Sequence, residues 1–238
     1  MLKKFSMSRI QSSIIFLLLI SLSFFASAED APRIDNIPMY GQPEIIRPDD
    51  LKKADEDFIK KVVEGFGTRE AASKAWWAQA EKFMQKQDFD FAMRRYNQSW
   101  LLNPNNYQPY WGFGRVMLEQ GKPKEAIKHL EKSKELIDDQ YQKVALLADI
   151  GTTYTTLAES GNSEEKSRLF NLANTNFSEA MTLDSSYSNG WRRWAMSLYE
   201  QGDYSGAWAK VKAAKSSNAR PFPPAFLRAL EEKLPEPQ

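Results

Sequence analysis

Residues 73–106 read SKAWWAQAEKFMQKQDFDFAMRRYNQSWLLNPNN and decide the fold. Two triplets within this stretch are each spaced by four and then three residues: Trp76, Ala80 and Phe83, followed by Ala92, Tyr96 and Ser99. That spacing places each triplet on one face of a helix. A short polar break separates the two. The stretch therefore predicts two amphipathic helices that pack antiparallel across a tight turn.

Small and capping residues support this prediction. Ala80 and Ala92 stand where the helices would cross, and two helices approach closely only where the side chain at the crossing is small. Asp88 occupies a position from which its carboxylate can cap the second helix. Pro104 ends the unit because it cannot continue a helix.

The order Trp, small residue, aromatic, Ala, aromatic and Pro over 34 residues resembles the tetratricopeptide repeat, or TPR. The pattern returns one period later, in Tyr110, Gly114, Met117, Ala126, Leu130 and Ser133. It returns again near the end, in Trp191, Ala195, Leu198, Gly202, Ala207, Val211 and Ala214. The resemblance implies an all-α, right-handed superhelical solenoid. The first helix of each antiparallel pair would form most of its concave face.

A longer copy lies between the second and the last. It runs from Tyr141 to Tyr187 and occupies 47 residues against 34 in its neighbours. Most of the extra length falls between Tyr154 and Ala173, which predicts two lengthened helices joined at residues 159–163. The extra length is either drift in a loop, where insertions cost little, or a binding ledge.

Residues 1–28 have the composition of a cleaved signal peptide. Basic residues precede the run from Ile14 to Phe25, whose only polar members are Ser, and the small Ala26 and Ala28 suit a signal peptidase. Twelve helical residues span about 18 Å, short of the roughly 30 Å hydrocarbon core. We therefore expect an exported protein, periplasmic or secreted, without stable membrane insertion after cleavage.

The rest of the chain divides into four segments. Residues 29–49 form a Pro-rich extended segment, expected to lie along the helices or in their groove. Residues 50–67 are a capping helix with stop signals at their end. Residues 68–220 contain the four TPR-like repeats. Residues 221–238 are a closing helix and tail.

Composition excludes several classes of function. Removal of three basic residues with the signal peptide leaves 29 of the 32 basic residues against 31 acidic ones, whereas nucleic-acid binding needs concentrated positive charge. The chain has no Cys and one His, His129, expected in solvent, which excludes thiol catalysis and multi-His zinc sites. We expect neither enzyme activity nor a cofactor. The catalytic alternative is a carboxylate pair, Glu81 and Glu119.

The candidate partner-binding residues are the non-core positions of the first helices: Trp77, Glu81, Met84, Trp111, Arg115, Leu118, Asn189, Arg192, Met196 and Tyr199. Trp77 and Trp111 are central because an outward Trp is costly unless something covers it. Alternatively, both pack against a neighbouring repeat or under the amino-terminal segment. Arg115 and Arg192 can bind a carboxylate or a backbone carbonyl of an extended peptide, or remain solvated.

These residues predict a scaffold that holds a segment of another protein or peptide in the concave groove. The alternatives are a structural subunit that uses its convex face or its long third repeat, and a glycan or small-molecule binder on the Trp-rich face. Some TPR domains bind chaperone carboxyl-terminal tails through Lys and Asn side chains. Trp77, Glu81 and Gly112 stand at such positions here, so we do not expect that activity.

Overall fold

The computed structural model describes most of the chain, namely residues 36–39, 48–161, 163–217 and 220–237. These residues belong to one unit, Asp35–Gln238. The predicted signal peptide and most of the Pro-rich segment lie outside the described residues. Within the part described, none of the helices has the length and apolar character needed to cross a membrane.

Helices are the regular structure of the described residues. They are α1 (Asp49–Phe66), α2 (Arg69–Gln85), α3 (Phe89–Leu102), α4 (Tyr107–Glu119), α5 (Pro123–Leu136), α6 (Gln140–Ser160), α7 (Ser163–Leu183), α8 (Ser188–Glu200), α9 (Tyr204–Ser216) and α10 (Pro224–Lys233). Helices α2 to α9 pack as four consecutive pairs, and α2, α4, α6 and α8 contact one another in that order. We call these four the first-helix layer. An all-α fold of consecutive helix pairs is therefore confirmed.

The predicted crossing residues lie in the core. Ala80 and Ala92 have no exposed surface. In the second pair, a Cβ added to Gly114 would lie 2.5 Å from Cγ of Leu130. A small residue is therefore required where α4 meets α5, as the repeat pattern predicts.

Short capped turns join the helices of each pair. Asp88 and Asp203 each accept a hydrogen bond from the backbone N–H three residues later, at 3.2 and 2.8 Å. Gly121 and Gly202 have φ angles of 71° and 78°, in the left-handed region that favours glycine. The tight turn and the cap at Asp88 that the sequence predicts are thus confirmed.

The third pair consists of two helices of 21 residues each, α6 and α7, against 13 and 14 residues in the second pair. The lengthened helices expected in the third copy are therefore present. Their extra turns have a hydrophobic cluster of their own, formed by Leu157, Ala158, Leu169 and Phe170. This cluster gives the added length a packed interface of its own.

A helix closes each end of the row. In α1, the rings of Phe58 and Phe66 meet the Trp76 ring edge-on, at centroid distances of 5.6 and 5.7 Å. In α10, Leu230 is fully buried in the cluster of the last pair. Both helices cover apolar surface that the terminal pairs would otherwise expose.

Residues 36–39 lie against α3, the second helix of the first pair. The Asn97 carboxamide donates to the Ile37 carbonyl at 2.8 Å and accepts from the Met39 backbone N–H at 2.9 Å. One side-chain amide thus satisfies two backbone groups of this segment.

Candidate functional site

One charged side chain from each first helix joins a row of alternating sign across the first-helix layer. In chain order, its members are Glu81 on α2, Arg115 on α4, Asp149 on α6 and Arg193 on α8. Each side chain is only partly exposed, between 15% and 34%. The row follows the stacking direction of the helix pairs.

The first contact of the row joins α2 to α4. Nη1 of Arg115 donates to both carboxylate oxygens of Glu81, at 2.9 and 2.8 Å. The Tyr96 hydroxyl of α3 donates to the same carboxylate at 2.5 Å. Burial, together with the nearby Glu81 charge, raises the pKa of Tyr96, so this hydroxyl remains a donor.

The second centre of the row is Asp149. One carboxylate oxygen accepts the indole N–H of Trp111 at 2.6 Å, and the other accepts from Nη1 of Arg193. Asp149 therefore joins α4, α6 and α8. Because charge-assisted hydrogen bonds require defined geometry, these contacts set how consecutive pairs lie against each other.

Two candidate partner-binding residues are buried. Trp111 is 9% exposed and packs in a cluster with Leu130, Ile137, Leu146 and Ile150. Met84 is also 9% exposed and belongs to the core of the first two pairs. The structure corrects the expectation that these side chains face a groove. Trp111 fills the interface with the next pair, and Asp149 satisfies its N–H.

Three further candidates are half-buried in existing contacts. Trp77 and Leu118 pack against the core of the first two pairs. Tyr199 lies within ring-contact distance of Tyr204, at 5.6 Å, and of Phe226, at 5.7 Å. Tyr199 thus connects α8 to the closing helix. These residues present only part of their surface to a partner.

The candidate partner-binding residues that remain accessible to solvent lie together on α8. Asn189 is exposed, and Met196 is 39% exposed. Arg192 lies between them in sequence and is half-buried, with an Nε atom that is buried and makes no hydrogen bond within the described part of the chain. Residues three and four apart share a helix face, so these three side chains form one surface.

His129 is buried, and the expectation that it is solvated is wrong. Its ring lies 5.5 Å from Phe113 in an edge-on contact. Burial disfavours the charged form and, together with the Lys128 charge, lowers the pKa of His129 to about 4. The described residues contain no group of three or more His, Cys, Asp or Glu placed to hold a metal ion.

A groove borders the lengthened pair. Its volume is about 550 Å³, and it lies between the turn of the second pair and the end of α6. Its walls include Lys122, Lys124, Leu157 and Glu159. The groove places basic and acidic side chains beside the apolar Leu157.

The sequence analysis did not select Asp149 or Arg193. A signal for Asp149 was present, because Arg115 follows Glu81 by 34 residues and Asp149 follows Arg115 by 34. Opposite charges one repeat period apart indicate contact between stacked first helices. Arg193 follows Asp149 by 44 residues, because the third copy is longer, and the period therefore does not reveal it.

The fold and the charged row define an all-α protein of stacked helix pairs. No protein-family model matches the chain, and no curated protein matches its sequence. The assignment to this class therefore rests on the architecture of the chain and on the contacts between its pairs.

Proposed function

We propose that this chain is an exported, non-enzymatic scaffold that binds a segment of a partner protein on the first-helix layer. We further infer that its four pairs are TPR-like repeats in a right-handed superhelix with that layer on the concave side. The observation that carries the proposal is that the four first helices lie side by side. The ion pairs Glu81–Arg115 and Asp149–Arg193 connect neighbouring first helices.

The described terminal segments leave the side chains of Asn189 and Met196 on α8 exposed. Helix α1 packs on α2 and α3, residues 36–39 bind α3, and α10 packs on α9. Each of these contacts involves an end of the row or a second helix. A partner segment can therefore approach the first helices without displacing the described ends.

The chemistry of the layer suits a polypeptide. Its four row charges pair with one another, so they hold the scaffold together and leave apolar and amide groups for a partner. Met196 and Asn189 are exposed examples of each kind. Protein interfaces typically combine apolar anchors with hydrogen-bonding groups of this sort.

A non-enzymatic role is supported by His129. A general base works best with a pKa near the operating pH, whereas burial holds this imidazole at about 4 and against the Phe113 ring. Glu81, one member of the alternative carboxylate pair, is bound to Arg115.

Export rests on residues 1–28, whose composition matches a cleaved leader. We expect the protein recovered from the periplasm or the medium to begin at Glu29 when its amino terminus is sequenced. A chain that remains in the cytoplasm with residues 1–28 attached would contradict export.

Crosslinked capture from the native envelope tests the binding surface. The variant Asn189→Glu with Met196→Glu places two charges on the open face of α8. Its matched control is Asn171→Glu with Ser178→Glu, two exposed α7 positions with the same seven-residue spacing. We expect the control to retain the captured partner and the α8 variant to lose it. Equal capture by both would contradict the proposal.

The groove beside α6 favours a second candidate, a structural subunit that uses the lengthened pair. Reversal of charge at two groove residues, Lys124→Glu with Glu159→Lys, tests it in the same assay. Loss of the partner in this variant, with normal capture by the α8 variant, would transfer the binding site to the third pair.

A further inference from the structure

Three cations of the first-helix layer have a carboxylate within ion-pair distance. Arg115 binds Glu81, Arg193 binds Asp149, and Nζ of Lys143 lies 3.2 Å from Oε1 of Glu179. Arg192 on α8 differs from them. Within the part of the chain that the structure describes, it has no acidic side chain within ion-pair distance.

The hydrogen bonding of Arg192 is also incomplete. Its Nε is buried and unbonded among the described residues. Arg95 has a similar Nε, but its guanidinium donates to Gln98 at 2.6 Å, whereas Arg192 has no such contact there. A guanidinium remains charged at any physiological pH, and buried donors without an acceptor are rare. The Nη atoms of Arg192 are not among these buried atoms, so a carboxylate from outside the chain can bind the guanidinium there.

The neighbours of Arg192 indicate what carries that acceptor. Asn189 and Met196 share its helix face and are exposed. The thioether of Met196 provides an apolar contact. Asn97 shows that an amide of this protein can bind the backbone of a neighbouring segment, since it bonds to both Ile37 and Met39.

We propose that Arg192 anchors an Asp or Glu side chain of the partner segment, next to an apolar residue that packs on Met196. A carboxylate is the preferred partner of a guanidinium because it accepts two parallel hydrogen bonds. This inference rests on the proposed function and names the chemistry of the partner. It predicts selection of an acidic–apolar motif by the first-helix layer.

Displayed libraries of ten-residue peptides test the motif on the mature full chain. One library has an amidated carboxyl terminus and the other a free one. We expect the amidated library to give binders with Asp or Glu beside an apolar residue. Replacement of that acid by its amide should weaken binding by about tenfold or more, the range for a charged hydrogen bond.

Variants of the protein assign the effect to Arg192. Arg192→Gln should bind the selected peptide about tenfold more weakly and no longer distinguish acid from amide. Arg192→Lys should restore part of the discrimination. Lys212→Gln is the matched control, since it removes one positive charge from an exposed position on α9 and should change nothing.

Three results would overturn the inference alone: binders without an acidic preference, a preference that persists in Arg192→Gln, or binding only to peptides with a free carboxyl terminus. Failure of every peptide to bind the wild-type chain would contradict the proposed function, and the inference with it. The two failures are therefore distinguishable.

Discussion

Two interfaces between consecutive helix pairs, which we call joints, each contain an ion pair between first helices, but the residues around the two ion pairs differ. Between the first and second pairs, Arg115 binds Glu81, a residue 34 positions earlier. Between the third and fourth pairs, Arg193 binds Asp149, 44 positions earlier. The sign of the charges is the same in both joints, negative on the earlier helix and positive on the later one.

The side chains that pack around the two ion pairs differ. The first joint is aromatic, with Tyr96 and Phe113 edge-on at 6.3 Å. The last joint combines stacked rings with polar contacts, since Phe177 stacks on Trp194, the hydroxyls of Thr155 and Ser197 lie 2.6 Å apart, and Trp194 donates to Asn174 at 2.9 Å. The comparison shows that an ion pair can join consecutive pairs at either repeat length, while packing adapts around it.

The largest expected effect is on the core of the third pair. Phe177 is fully buried and stacks on Trp194, with centroids 6.2 Å apart. Phe177→Ala should lower the free energy of unfolding by about 3–5 kcal/mol, because it leaves a cavity beside Gly151. Urea unfolding measures this, with Phe91→Ala, at an exposed position, as the mild control. A loss below about 1 kcal/mol would show that the joint does not depend on this ring.

Loss of charge should affect the two joints unequally. Asp149→Ala leaves both the Trp111 N–H and Arg193 without an acceptor, and we expect a loss of about 2–3 kcal/mol. Arg115→Ala should cost about 1 kcal/mol, because Glu81 keeps the Tyr96 hydroxyl and access to water.

A double-mutant cycle of Asp149→Ala and Arg193→Ala measures the coupling directly by urea unfolding. A coupling energy of at least about 0.5 kcal/mol is expected for a direct contact. Additive losses from the two substitutions would contradict the role assigned to this ion pair.

Acid should weaken the second pair through His129. Its folded pKa of about 4 lies below the usual 6.5, so the unfolded chain binds the proton more tightly. Protonation of His129 therefore favours the unfolded chain. Its neutral form leaves the free energy of unfolding undiminished above pH 6.5, and that free energy falls as the pH drops towards 4. Between pH 7 and 4.5 the free energy of unfolding should fall by about 2 kcal/mol more in the wild type than in His129→Gln. Parallel pH profiles of the two proteins would contradict this effect.

Loss of a helix cap should have the smallest effect on stability, and the effect should be the same in the first and the last pair. Asp88 and Asp203 cap the second helices of the first and last pairs. Replacement of either by Ala should cost about 1 kcal/mol of unfolding free energy, and replacement by Asn much less, because Asn also caps. Thermal unfolding of the four variants compares them. A much larger loss at one end would show that its turn has a further role.

Local patterns predicted much of this fold. The spacing of four and then three residues identified Ala80 and Ala92, which are fully buried, and the start of the second helix gave the cap position at Asp88. Helix periodicity and capping depend on neighbouring residues, so one sequence is enough to reveal them. The lengthened third pair followed from a simple residue count.

The candidate site was harder to predict, because exposure on a first helix depends on how far each pair is rotated against the next. Trp111 is buried because the third pair covers it, and His129 because it packs on Phe113 of the preceding helix. A helical pattern identifies one apolar face and does not show a second interface. The open surface is therefore narrower than expected, and Arg192 lies at its centre.

Photocrosslinking from position 196 shows whether a partner binds the first-helix layer. A photoreactive amino acid at Met196, exposed on the first-helix layer, would be compared with one at Ser178, exposed on α7, in cells that express the full chain. We expect a defined crosslinked partner from position 196 and none from position 178. The same partner from position 178 alone would contradict binding on the first-helix layer.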